Sequence, residues 1–252
     1  MSRILKRPRL PEKAVSTVLV SGEYPWLKET LKNYGVIAAT TERDNRLPQP
    51  VGFHPDLQIC PFPFGLMFVL KENPSAAALR SLGISVTETC AEPGDRYPQD
   101  VLCGGFVWGD YLVGNPKAID TIIQKEASQQ SLQLLPVRQG YAACSTVLVN
   151  ERCAITADNG LEQALTSYGF EVLLIQPGHI VLPGYDTGFI GGCYGKLSPN
   201  ELVFTGQLIR HPDGARILDF LENQKVSVIE LREGPLVDVG GIVPLLEKDK
   251  NE

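Results

Sequence analysis

Four aspartates and one cysteine recur at matching places along the chain. Asp56, Asp100, Cys144, Asp186 and Asp238 close the short motifs FHPD, YPQD, YAAC, PGYD and PLVD, at intervals of roughly 42–52 residues. His54 stands two residues before Asp56, a spacing that puts both side chains on one face of an extended strand. A thiol, an imidazole and several carboxylates around one small cavity could do nucleophilic chemistry on a cationic substrate. Asp56, Asp100, Asp186 and Asp238 would hold a guanidinium or ammonium through charge-assisted, bidentate hydrogen bonds. Cys144 would attack as thiolate and His54 would transfer protons. The same carboxylates oppose that chemistry, because negative neighbours raise a thiol's pKa. Activation would then come from the bound cation or from an ion pair with His54.

Each of these residues also has a structural reading. The aspartates suit loop capping and strand starts, and Cys144 suits a small packed position. His211, before Pro212, reads as a helix cap, and His179, in the apolar run HIVL, reads as a strand residue. No Cys-x-x-Cys pair or other compact ligand spacing marks a metal centre, and no Gly-x-Gly-x-x-Gly loop marks a dinucleotide. The expectation is a site with no metal and no cofactor.

The elements that must position these residues repeat as well. Helix-start signals stand at Tyr24-Pro25, Asn73-Pro74, Asn115-Pro116, Ala157-Asp158 and His211-Pro212. A helical pattern follows each, and three of the patterns stop at Gly35, Gly83 and Gly169. The runs VIAAT, ISVTET, LQLLPV, FEVLLI and VSVIEL then read as strands, each followed by a further strand that carries one of the five motifs. The glycine pairs Gly104-Gly105, Gly191-Gly192 and Gly240-Gly241 suit close backbone approach after the motif residue. Strand and helix alternate, so the fold is α/β. Five similar units can close into a ring in which equivalent residues face one centre. The units fall at about 15–60, 61–104, 105–148, 149–192 and 193–246, between a loose N-terminal segment at 1–14 and a tail at 247–252.

Composition bounds the function. The chain has 252 residues, and its 29 acidic and 23 basic residues give a formal charge of −6, the wrong sign for a nucleic-acid backbone binder. No apolar run is long enough to span a bilayer, and the basic start lacks the apolar core of an export signal. Six cysteines without such a signal point to reduced thiols in the cytoplasm. The expected partner is a small cationic molecule, with no nucleic acid and no membrane. A homo-oligomer is compatible with the sequence.

The five-unit register, with the segments GYDTGFIGG (184–192) and VDVGGIVPLL (237–246), resembles the pentein fold of guanidine-modifying enzymes. These include arginine and agmatine deiminases, dimethylarginine dimethylaminohydrolases and amidinotransferases, together with a non-catalytic ribosome anti-association factor. The resemblance spans about residues 15–246, and its texture is nearest a bacterial branch of that superfamily. It implies a five-bladed ββαβ propeller with pseudo-five-fold symmetry. In the hydrolytic members, carboxylates hold the guanidinium, a cysteine near the C-terminus attacks its carbon, and a His-x-Asp histidine shuttles protons. Here the His-x-Asp segment reads Gly184-Tyr185-Asp186, and Ile242, Val243 and Pro244 follow Gly240-Gly241, so both standard catalytic residues are absent. The resemblance therefore leaves two functions. One is hydrolysis of, or transfer from, a guanidino, amidino or amino compound through Cys144 and His54. The other is non-catalytic binding.

Overall fold

A computed structural model describes residues 2–249. Its strands form five small sheets, one of four strands and four of three. Four sheets repeat a single plan. Two short strands pair antiparallel, a helix follows the second, and the chain returns as a third strand parallel to the second. In the third of the five sheets, Phe106–Trp108 pairs antiparallel with Tyr111–Gly114, which pairs parallel with Gln133–Pro136. The two-residue turn Gly109-Asp110 makes that hairpin, and Gly109 supplies the positive φ of 57°. The remaining sheet joins the two ends of the chain. Val15–Ser21 pairs parallel with Ile37–Thr41 and antiparallel with Val243–Lys248.

The expected helices occur at Pro25–Lys32, Ala76–Ser81, Thr121–Gln129, Asn159–Ser167 and Gly214–Asn223. Two begin later than their Asn-Pro signals. Asn73 and Asn115 each accept from the amide two residues on, and the resulting turns delay the helices. The third helix is capped by Asp120, whose side chain accepts from the Ile122 amide. Gly35, Gly83 and Gly169 take φ of 71°, 82° and 88°, as helix-stopping residues do. Each helix lays an apolar stripe on its sheet. Leu27 and Leu31, both fully buried, pack with Val18, Val20 and Val36, and each side chain contributes about 1.5–3 kcal/mol of burial.

Three expectations change. The motif residues lie in turns and short helices before the inner strands, not on the strands themselves. Pro55 starts the helix Pro55–Gln58, with His54 as its N-cap, because proline's fixed φ suits a first helical turn. His179 is in a loop, at φ 64°, instead of a strand. The N-terminal segment is tied down: Ser2–Ile4 pairs with the last strand, and Arg3 forms an ion pair of 2.7 Å with the buried Glu247. Residues 250–252 of the proposed tail lie outside the described residues.

Candidate functional site

The segments preceding the inner strands hydrogen-bond to one another and gather the motif residues. The Asp56 amide donates to the Gly240 carbonyl at 3.1 Å, Ala143 to Gly104 at 2.9 Å, and Gly241 to Gly192 at 2.9 Å. The glycine pairs permit this closeness. A Cβ on Gly104 would stand 2.4 Å from the Gly140 carbonyl oxygen, and one on Gly191 would stand 2.4 Å from that of Cys144.

A cavity of about 180 Å³ lies among these segments, and His54, Asp56, Asp100, Cys144 and Asp238 all line it. Five of the six residues expected from the sequence thus face one space. Asp186 does not. It is exposed, in the loop that runs past the cavity, and its neighbours Tyr185 and Thr187 line the space instead.

Asp56 is fully buried, and neither carboxylate oxygen has a hydrogen-bond partner. Its helix is locked from below by Gln58, whose Nε2 donates to the Gly52 carbonyl at 2.7 Å and the Glu42 carbonyl at 2.9 Å. Asp238 is satisfied: Oδ2 accepts from the Phe189 amide at 2.8 Å and Oδ1 from the Gly240 amide at 3.0 Å. Burial nevertheless raises the Asp238 carboxyl above its ordinary pKa, against the opposing charge of His54. His54 Nδ1 lies 3.7 Å from Asp238 Oδ1 and 3.9 Å from Asp56 Oδ1, while its buried Nε2 has no partner. These separations exceed hydrogen-bond length but are short enough to couple a protonated imidazole to both carboxylates.

On the opposite wall, Asp100 accepts from the Tyr141 hydroxyl through Oδ2 and leaves Oδ1 unpaired. Burial and that hydrogen bond keep the Tyr141 phenol protonated, as a donor. Burial, then the neighbouring Asp56 carboxylate, push the Cys144 thiol well above its ordinary pKa. The buried Arg9 guanidinium opposes this weakly. Its Nε and Nη2 have no partner, and it does not line the cavity. Empty, the site therefore holds a thiol rather than a thiolate.

Sequence reasoning did not assign a role to Tyr141, Tyr185 or Phe189. The first two open YAAC and precede the aspartate of PGYD, so position alone could have raised them. Tyr141 and Phe189 stack with ring centroids 5.6 Å apart and planes 24° apart. His211 is not the expected helix cap: Asp213 holds that position before Gly214–Asn223, and His211 Nδ1 accepts from the Asp213 amide at 3.1 Å. A larger cavity, about 790 Å³, opens elsewhere beside Lys196 and Glu171 and contains none of the recurrent motif residues. Among the described residues no cluster of three or more His, Cys, Asp or Glu could hold a metal, and no helix is long and apolar enough to cross a membrane.

A sequence family described as a family of unknown function (DUF6873) matches residues 19–243. The chain belongs to that family. No curated protein sequence matches this DUF6873 member. Its fold is similar to that of solved guanidine-modifying enzymes, which share the pentein fold. Against the inosamine-phosphate amidinotransferase of Streptomyces griseus the TM-score is 0.60 at 12% identity, covering 99% of each chain. Against an amidinotransferase of the saxitoxin biosynthetic pathway from Microseira wollei it is 0.57 at 10% identity, covering 94% of this chain and 96% of the other. Against the Pseudomonas aeruginosa dimethylarginine dimethylaminohydrolase complexed with citrulline it is 0.51 at 8% identity, covering 86% and 92%.

Proposed function

We propose that the DUF6873 cavity binds a small cation of the guanidino, amidino or amino class. One observation carries this reading: a fully buried Asp56 carboxylate faces the cavity with both oxygens unpartnered. A buried charge without partners costs several kcal/mol, and a planar cation with paired N–H donors would satisfy both oxygens at once. Fold similarity to two amidinotransferases supports the guanidino end of that class. On this reading the five sheets are the blades of a pentein propeller with pseudo-five-fold symmetry, formed by residues 15–246, and the cavity lies at its axis. A reducing compartment such as the cytoplasm fits this reading, because the six cysteines are unpaired.

Binding without turnover is favoured by the raised Cys144 thiol. The second reading is hydrolysis or amidino transfer, and Cys144 and His54 lining the same cavity supports it. A bound cation would help the Cys144 thiol pass its proton to His54, and the resulting thiolate would add to the guanidinium carbon. The C–N bond would break as His54 protonates the departing amine. Water or an acceptor amine, deprotonated by His54, would then displace the sulfur.

Thermal-shift titration with guanidino, amidino and amino compounds tests the binding. Stabilisation in the wild type that disappears in Asp56→Asn is expected. No stabilisation by any of the three classes removes the proposal. Product analysis on wild type and Cys144→Ala then separates the readings. Turnover lost in the variant while binding persists assigns an enzyme, and binding with no turnover assigns a binding protein.

A further inference from the structure

Resting on that reading, we infer that the ligand is a cation without a carboxylate, and that its apolar or aromatic tail leaves the cavity past Tyr185 and Phe189.

The carboxylates Asp56, Asp100 and Asp238 line the cavity together with His54, and neither lysine nor arginine is among the lining residues. A carboxylate carried on the ligand would meet three like groups against a single imidazole. Like-charge juxtaposition in such a setting costs several kcal/mol. Free amino acids therefore suit this site poorly, whereas an amine or guanidine with an uncharged tail brings no fourth carboxylate to it.

Size and the mouth define the tail. At about 180 Å³ the cavity is smaller than the roughly 300 Å³ at the low end of pockets for whole small molecules. It encloses a head group and little more. The exposed part of its lining is Tyr185, 48% exposed, and Phe189, 36% exposed. Phe189 stacks on the half-buried Tyr141, which is itself held by Asp100. An exposed aromatic rim beside an acidic cavity offers stacking to a flat or alkyl tail and cation–π attraction to the head group as it enters. The apolar Leu57 and Leu182 also line the cavity.

Calorimetric titration of the full chain with butylguanidine, 4-guanidinobutanoate and 2-phenylethylguanidine tests the inference. The first two share head group and chain and differ in the terminal carboxylate. Butylguanidine is expected to bind roughly tenfold or more tighter than 4-guanidinobutanoate, a difference of about 1.4 kcal/mol. The phenylethyl compound is expected to lose roughly fivefold in Tyr185→Ala, an exposed position where folding is not at stake, and methylguanidine to lose less than that. Equal affinity for the carboxylate-bearing compound overturns the inference and leaves the guanidinium reading standing. An unchanged phenylethyl affinity in Tyr185→Ala overturns the aromatic exit. Failure of every guanidine to bind overturns both the inference and the reading beneath it.

Discussion

His54 and Asp238 face each other across the junction of the first and last motifs, with Nδ1 of the histidine 3.7 Å from Oδ1 of the aspartate. Gly240 makes this approach possible. Its φ is 76°, and a Cβ there would lie 2.6 Å from both Cα and Cβ of His54. Asp238 also accepts from the Gly240 amide, so the backbone that admits the histidine also orients the carboxylate.

Gly240→Ala is therefore expected to destabilise the protein by about 2 kcal/mol or more, combining left-handed strain with overpacking. Gly83→Ala is the control. Its φ of 82° is similar, but no atom lies within 4 Å of the added Cβ, so only the conformational cost of roughly 1 kcal/mol applies. Urea denaturation of both variants measures the difference, and equal losses would show that the approach to His54 is not tight.

Changing the Asp56 carboxylate should have the opposite effect. Asp56→Asn is expected to stabilise the empty protein by roughly 1–2 kcal/mol, because it replaces a buried carboxylate that has no nitrogen donor on either oxygen. A lower melting temperature for this variant in ligand-free buffer would count against a site kept charged for a cation.

The pH dependence follows from Asp238. A carboxyl whose folded pKa is raised contributes stability that is complete below the unfolded value, near about 4. That contribution is lost as pH rises through the folded value. A bound cation favours the ionised form and reverses the trend. Stabilisation by methylguanidine should thus be larger at pH 8 than at pH 5, with proton release visible when calorimetry is repeated in buffers of different ionisation enthalpy. Stronger binding at pH 5 would exclude carboxylates as the recognition groups.

Thiol reactivity separates Cys144 from its neighbours. Cys90 is exposed, whereas Cys60, Cys103, Cys144, Cys153 and Cys193 are buried. Burial raises all five buried thiols, that of Cys60 to about 12 and that of Cys153 to about 11. Iodoacetamide near neutral pH is expected to modify Cys90 roughly 100-fold or more faster than Cys144, as peptide mass spectrometry would read. Rapid modification of Cys144 in the empty protein would reveal a preformed thiolate.

Lys196 offers a test away from the site. It is buried, its ammonium donates to the Val149 carbonyl at 2.6 Å, and burial lowers its pKa to about 8. Between that value and the unfolded one near about 10.4, the unfolded chain holds more protons, so stability should rise with pH. Relative to Lys196→Met, the wild type should gain roughly 1–3 kcal/mol across this window. A flat difference would mean the ammonium is solvated.

The helices, the return strands and their order were legible because each rests on local chemistry. Capping aspartates, proline at helix starts, glycine stops and β-branched runs act within a few residues, and each of the five units carries some of them. The grouping of His54, Asp56, Asp100, Cys144 and Asp238 was legible because equivalent positions in repeated units come to equivalent places. Tertiary structure decided what repetition cannot. The repeats are not identical, so Asp186, carried on a longer loop before its inner strand, turns to solvent while Tyr185 takes the wall. Pro55 turned an expected strand into a helix and still brought His54 to its carboxylates, through the close passage of Gly240. Which carboxylate is left unpartnered depends on backbone amides from distant segments. The Phe189 and Gly240 amides satisfy Asp238, and no backbone amide reaches the side chain of Asp56. Motif spacing carries no record of those amides, so the sequence named the acids and only their packing decided which one is left without a backbone donor.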